Sequence, residues 1–212
     1  MYTHILWDFN GTLLDDVQIG IDSVNVLLAR WSLPLLDDVG TYRRLFRFPI
    51  RDYYVALGLV TDSRPYEMLA PLWVEEYLRR VPEAGLQEGI LPILAEVKKS
   101  GRGQYILSAT EQKMLDGQVE GLGIGAYFDG VFGGGDIHAA SKLGTARAFL
   151  KREKPGRMLL IGDTDHDAET AKEIGADCVL LACGHQTKEH LLSCGVPVVD
   201  TPGELLSFIM EE

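Results

Sequence analysis

The chain has 212 residues, 46% of them hydrophobic and 24% charged, with 20 Lys and Arg against 31 Asp and Glu for a net charge of -11. That is enough chain for one domain with a modest insert and a real core, and too acidic for generic binding to nucleic acid or anionic membranes. No apolar run reaches the ~18 residues of a membrane span, and the start Met1-Tyr-Thr-His lacks the basic and apolar regions of a signal peptide. Three cysteines without CxxC spacing (Cys178, Cys183, Cys194) point to a reducing, cytoplasmic setting.

In chain order, short apolar segments occur at Ile5-Leu-Trp, Tyr105-Ile-Leu, Gly130-Val-Phe, Met158-Leu-Leu-Ile, Cys178-Val-Leu-Leu-Ala and Val196-Pro-Val-Val. Helix-length stretches fall between them at Ile90 to Lys99, Leu143 to Lys151 and Ala168 to Ile174, and Gly101 and Gly175 read as C-terminal caps. This rhythm predicts an α/β fold with a doubly wound, Rossmann-like parallel sheet. Residues 15–85 break it. Val17 to Trp31, Arg51 to Leu57 and Tyr66 to Arg80 read as helices punctuated by Pro34, Pro49 and Pro65. The expected organisation is a core of residues 1–14 and 86–212 with a small all-α cap at 15–85.

In open α/β sheets, ligands sit beyond the carboxyl ends of the strands. Asp8, Asn10, Gly11 and Thr12 follow the first segment, Ser108, Ala109 and Thr110 the second, and Gly162-Asp-Thr-Asp-His-Asp a later one. A lone Asp at a strand end commonly caps the next helix. Two acidic ends converging on one crevice, with a hydroxyl end and a downstream lysine, suit a hard divalent cation such as Mg2+.

Four short motifs in this order, Asp8-Phe-Asn-Gly-Thr-Leu, Ser108, Lys142 and Gly162-Asp-Thr-Asp-His-Asp, resemble those of the haloacid dehalogenase-like hydrolases, on the phosphoglycolate phosphatase-like branch with a helical cap. The resemblance implies hydrolysis of a small phosphorylated metabolite. Asp8 would be the nucleophile that takes up the phosphoryl group, and Mg2+ would be held by Asp8, the backbone carbonyl of Asn10, Asp163 and Asp167. Lys142 would neutralise phosphoryl charge, with Ser108 and backbone groups of Gly11, Thr12 and Ala109 around the phosphoryl oxygens. Ser141 could cap the helix opened by Lys142, and His138 and His166 flank the motifs. Phosphonoacetaldehyde hydrolases of this branch need a cap lysine, and residues 1–97 contain none.

One position departs from the pattern. The family's phosphatases usually carry an Asp two residues after the nucleophile, to protonate the leaving alcohol and then activate water; here it is Asn10. An amide can hydrogen-bond but cannot exchange a proton at neutral pH. Either turnover is slow or restricted to good leaving groups such as acyl or aryl phosphates, or a cap residue or His166 supplies the proton, or position 10 has been altered from an original Asp; the rival reading is a phosphoester-binding or regulatory protein without efficient turnover. In the insert, Thr41 to Arg51 holds four arginines and no acid. Arginine forks bind carboxylate and phosphate, so Arg47 or Arg51 is expected to contact a second anionic group on the substrate.

Overall fold

The computed structural model describes residues 1–136 and 142–210. Six strands, β1 (His4–Trp7), β2 (Gly103–Glu111), β3 (Gly130–Gly134), β4 (Met158–Gly162), β5 (Asp177–Leu181) and β6 (Val198–Val199), pair in parallel in the order β3-β2-β1-β4-β5-β6. The strand order reverses between β1 and β4, which opens a crevice at their carboxyl ends.

Alternation within each strand feeds two cores. Ile5, Trp7, Ile106, Ile161 and Val179 bury on one face, and Leu6, Leu107, Leu160 and Leu180 on the other. A strand covered on both faces must be apolar at every position, which is why these segments read as unbroken hydrophobic runs.

Four helices, α1 (Val17–Arg30), α2 (Val39–Leu45), α3 (Ile50–Ala56) and α4 (Tyr66–Arg80), precede β2 and build a third cluster of their own. On α1, Val17, Ile21, Val24 and Leu28 bury at helical spacing. The chain leaves and re-enters this segment at one place: Asp15 N–H donates to Gly85 O at 2.9 Å, Gln87 N–H to Leu13 O at 2.9 Å, and Leu14 bridges to Leu86.

Six helices flank the sheet. α5 (Ile90–Lys99), α6 (Gln112–Gly121) and α10 (Leu205–Met210) cover the Trp7 face, whereas α7 (Leu143–Glu153), α8 (Asp165–Ile174) and α9 (Lys188–Leu192) cover the Leu6 face.

The sequence pattern does not show α2, α6, α9 or α10. α6 carries only two buried residues, Leu115 and Val119, and two glycines, so its apolar periodicity is thin. The segment at Val196 shortens to a two-residue strand because Pro197 has no N–H to give the ladder; its carbonyl still accepts from Leu180 N–H at 2.9 Å. β2 runs four residues past Leu107, through a register shift at Ser108–Thr110 that turns these residues toward the crevice.

Candidate active site

Asp8 follows β1 directly, its N–H donating to Ile161 O on β4 at 2.8 Å. Asp163 follows β4, and Asp167 occupies the first turn of α8, where the helix dipole favours an anion. These three buried carboxylates each bring an oxygen within 4.8 Å of the others. Lys142, 2% exposed at the start of α7, places Nζ 2.6 Å from Asp8 Oδ1 and 2.5 Å from Asp167 Oδ1. Burial would push its ammonium toward neutrality, but Asp167 and Asp8 reverse this and hold it above the usual lysine range.

Burial and the neighbouring Asp167 raise the Asp8 carboxyl well above the ordinary aspartate range, against the pull of Lys142. Burial also raises Asp163, whereas Asp167 is held low because Lys142 and Thr164 outweigh its burial. The supporting bonds set the carboxylate orientations. Thr12 Oγ1 donates to Asp163 Oδ1 at 2.9 Å, His185 N–H to Asp163 Oδ2 at 2.7 Å, and Thr164 N–H and Oγ1 to Asp167 Oδ2 at 3.0 and 2.7 Å.

A divalent ion fits this group. Ionised together, Asp8, Asp163 and Asp167 would set three buried negative charges against the one positive charge of Lys142, and a divalent cation would supply the balance. The donors in the cluster are carboxylate oxygens, which suit Mg2+ better than a softer metal.

Around Asn10 lies a network that no local motif announces. Asn10 Nδ2 donates to Asp16 Oδ2 at 2.7 Å and to Tyr77 Oη at 2.8 Å, and Tyr77 Oη donates to Asp16 Oδ2 at 2.7 Å. Thr110 Oγ1 donates to Asn10 Oδ1 at 2.7 Å. His185 Nε2 sits 3.2 Å from Asp16 Oδ1, while its Nδ1 is 2.7 Å from Tyr42 Oη. Burial opposes charge on both members of the pair. Even so, His185, Tyr77 and Asn10 hold Asp16 below the usual range, and Asp16 lifts His185 to about 9. The pair is therefore ionic at neutral pH.

The other expected residues divide. Ser108 and Ala109 line the same cavity as Asp8 and Lys142. Gly11 and Thr12 are committed elsewhere: Gly11 N–H donates to Asp16 Oδ1 at 2.9 Å, and the Thr12 hydroxyl is held by Asp163. Gly11 has φ +72°, and a Cβ there would come within 2.3 Å of Asp163 Oδ2, so only glycine allows this approach. Arg47 and Arg51 are exposed and do not line the cavity. Arg43 instead ties α2 to the core, donating to the carbonyls of Cys183 and Gly184. His166 stacks on Phe48 with centroids 4.5 Å apart, and burial and Lys142 push it down to about 4, so its ring is neutral at pH 7, with Nε2 accepting from the Lys142 N–H at 3.4 Å. Cys178 lies in the core. His138 and Ser141 fall outside the described residues.

Three carboxylates and a buried lysine thus meet at the switch point of a doubly wound sheet whose first strand is followed by a four-helix segment. Residues 5–181 match the family model described as haloacid dehalogenase-like hydrolase. The chain belongs to that family. It is 26% identical over 202 residues to a phosphoglycolate phosphatase of Caulobacter vibrioides, covering 92% of this chain and 85% of the relative. Its fold is that of a haloacid dehalogenase-like hydrolase from Streptococcus pneumoniae, with a TM-score of 0.84, 23% identity and 99% of each chain covered. Protein tyrosine kinase A of Mycobacterium tuberculosis has the same fold, with a TM-score of 0.84, 21% identity and 99% of each chain covered.

Proposed function

We propose that this protein is a Mg2+-dependent phosphatase of small phosphate monoesters. The observation that carries this reading is the convergence of Asp8, Asp163 and Asp167 within 4.8 Å around the buried Lys142. Asp8 attacks phosphorus, forming an aspartyl-phosphate and dividing the reaction into two easier steps. Lys142 lies against the attacking carboxylate and neutralises charge on the transferring group, while Ser108 and the N–H of Ala109 bind its oxygens. Asp8, the backbone carbonyl of Asn10, Asp163 and Asp167 would hold the metal, which when bound supplies Lewis-acid stabilisation of the phosphoryl charge.

Residues 15–85 act as a cap in this reading. The cavity is lined both by core residues such as Asp8 and by α2–α4 residues such as Tyr42 and Tyr77, so closing the segment on the core would exclude water during transfer. The partner is a small phosphorylated metabolite, and the three free thiols fit a reducing cytoplasm. No helix among the described residues is long and apolar enough to cross a membrane.

Asn10 favours a second reading, in which the site binds a phosphoester or serves regulation without efficient turnover. Phosphate release from a panel of esters, with and without Mg2+, separates the two. Metal-dependent multiple turnovers lost in Asp8→Ala establish the phosphatase. Ligand-dependent stabilisation without turnover establishes the second reading.

A further inference from the structure

We infer that the natural substrate is an aryl phosphate, a monoester whose leaving group is a phenol seated against the aromatic wall of the α2–α4 segment. This rests on the phosphatase reading and names the substrate class of that same site. Three independent observations converge on it.

The first is the wall itself. The α2–α4 segment lines the cavity with Phe46, Phe48, Tyr53, Tyr54, Tyr66 and Trp73, of which Phe46 and Phe48 stack on His185 and His166 beside the carboxylates, with centroids 4.9 and 4.5 Å apart. Phe46, Tyr53, Tyr54 and Tyr66 form a continuous chain of ring contacts, with centroids 5.4, 5.8 and 5.5 Å apart. The free volume of the whole cavity, phosphoryl end included, is about 140 Å3, which limits the substrate to a small ester. The Tyr53 hydroxyl is buried and meets no hydrogen-bond partner among the described residues. A buried hydroxyl is normally paired, so a polar substituent on the ligand's ring would complete it.

The second is charge. Lys142 and the protonated His185 are the cations among the described lining residues, and both are engaged, Lys142 by Asp8 and Asp167 and His185 by Asp16; Glu111 and Asp136 line the cavity as well. A second anionic group, such as the carboxylate of phosphoglycolate, would be desolvated there beside acids and without a guanidinium. An uncharged ring incurs no such penalty.

The third is Asn10. A phenol ionises near pH 10, about six units below water, so its oxygen departs as phenolate without a general acid. Asp8 forms the bond to phosphorus and the P–O(aryl) bond breaks, leaving its electron pair on the phenolate. Water then adds to phosphorus, and the P–O bond to Asp8 breaks with its electrons returning to the carboxylate. The products are phenolate and dihydrogen phosphate, and one proton passes from the phosphate to the phenolate through solvent. The first step draws no proton from position 10; the second, in which water loses its proton to solvent, is common to every ester, so the choice of leaving group acts on the first step alone.

The test compares kcat/KM for phenyl phosphate, benzyl phosphate, acetyl phosphate and phosphoglycolate at saturating Mg2+, alongside binding of phenylphosphonate and methylphosphonate. Phenyl phosphate should exceed phosphoglycolate by about 100-fold, and benzyl phosphate, with the ring but a poor leaving group, should keep a low KM and lose kcat. Phe46→Leu should lower kcat/KM for phenyl phosphate roughly tenfold more than for acetyl phosphate. Phosphoglycolate turned over as well as phenyl phosphate, or Phe46→Leu slowing phenyl and acetyl phosphate equally, overturns the aryl assignment and leaves the phosphatase reading standing. No hydrolysis of any ester, with phenylphosphonate bound about tenfold more tightly than methylphosphonate, overturns the phosphatase reading and keeps ring recognition. No hydrolysis and equal phosphonate binding removes both.

Discussion

The amide of Asn10 donates to the carboxylate of Asp16 across 2.7 Å, and the Tyr77 hydroxyl bonds to both. The carboxylate missing at position 10 thus stands one hydrogen bond away, paired with His185. Asn10→Asp alone would set two carboxylates in contact, and like charges at that distance cannot both ionise. The single variant should therefore lose thermal stability and gain little activity toward alkyl phosphates. The exchange Asn10→Asp with Asp16→Asn keeps both the contact and the charge count, and should raise alkyl phosphate turnover by ~10² or more. Initial rates and melting temperatures of the three proteins check this; a single variant as stable and active as the double would refute it.

Lys142 is the cation between Asp8 and Asp167. Lys142→Met leaves their charges unopposed in the core, and breaking a buried pair from one side costs about 3–5 kcal/mol. Urea unfolding in a chelator should show that loss, and turnover should fall by ~10² or more. Unchanged stability would mean the ion pairs do not form.

Mg2+ should stabilise the folded chain, by about 2.7 kcal/mol at one hundred times its dissociation constant. Asp163→Asn should abolish the effect. Because burial and Asp167 raise the Asp8 carboxyl, binding should also release protons, seen by calorimetry as an enthalpy that changes with the buffer. Binding that survives Asp163→Asn would place the metal elsewhere.

The His185–Asp16 pair predicts the alkaline limb of stability in metal-free buffer. A histidine raised from 6.5 to about 9 contributes stabilisation that is full below about pH 6.5 and is lost as pH rises through about 9, worth roughly 3 kcal/mol. Asp16, held low, acts in the opposite sense: its contribution is present above the ordinary aspartate range and is lost as pH falls through its own lowered value. His185→Gln should flatten the alkaline limb. A limb identical in both proteins would show that the pair is not ionic.

Local pattern carried much of the fold. The double-faced strands are continuous apolar runs, and α4 spans Tyr66–Arg80 as its periodicity predicts. Asp8 and Asp163 were visible because each directly follows such a run. The Asp16 network was not, because its members come from separate segments: Tyr77 lies 61 residues from Asp16, and His185 lies 143 from Tyr42. One signal was available. His185 lies just beyond the carboxyl end of β5, the same edge that singled out Asp8 and Asp163. In the arginine-rich stretch, Arg47 and Arg51 stand exposed and away from the cavity lining. Arg43 spends its fork on two core carbonyls, and the cavity wall is made of rings that also serve the cluster of α1–α4.

The central claim is that Asp8 carries the phosphoryl group. The most direct measurement is acid quench of the protein turning over phenyl phosphate with Mg2+, followed by mass analysis of its peptides. A single phosphoryl group on the peptide containing Asp8, absent from Asp8→Asn together with phenol release, is the expected result. Phenol release that persists in Asp8→Asn, or a phosphoryl group on any other residue, would contradict it.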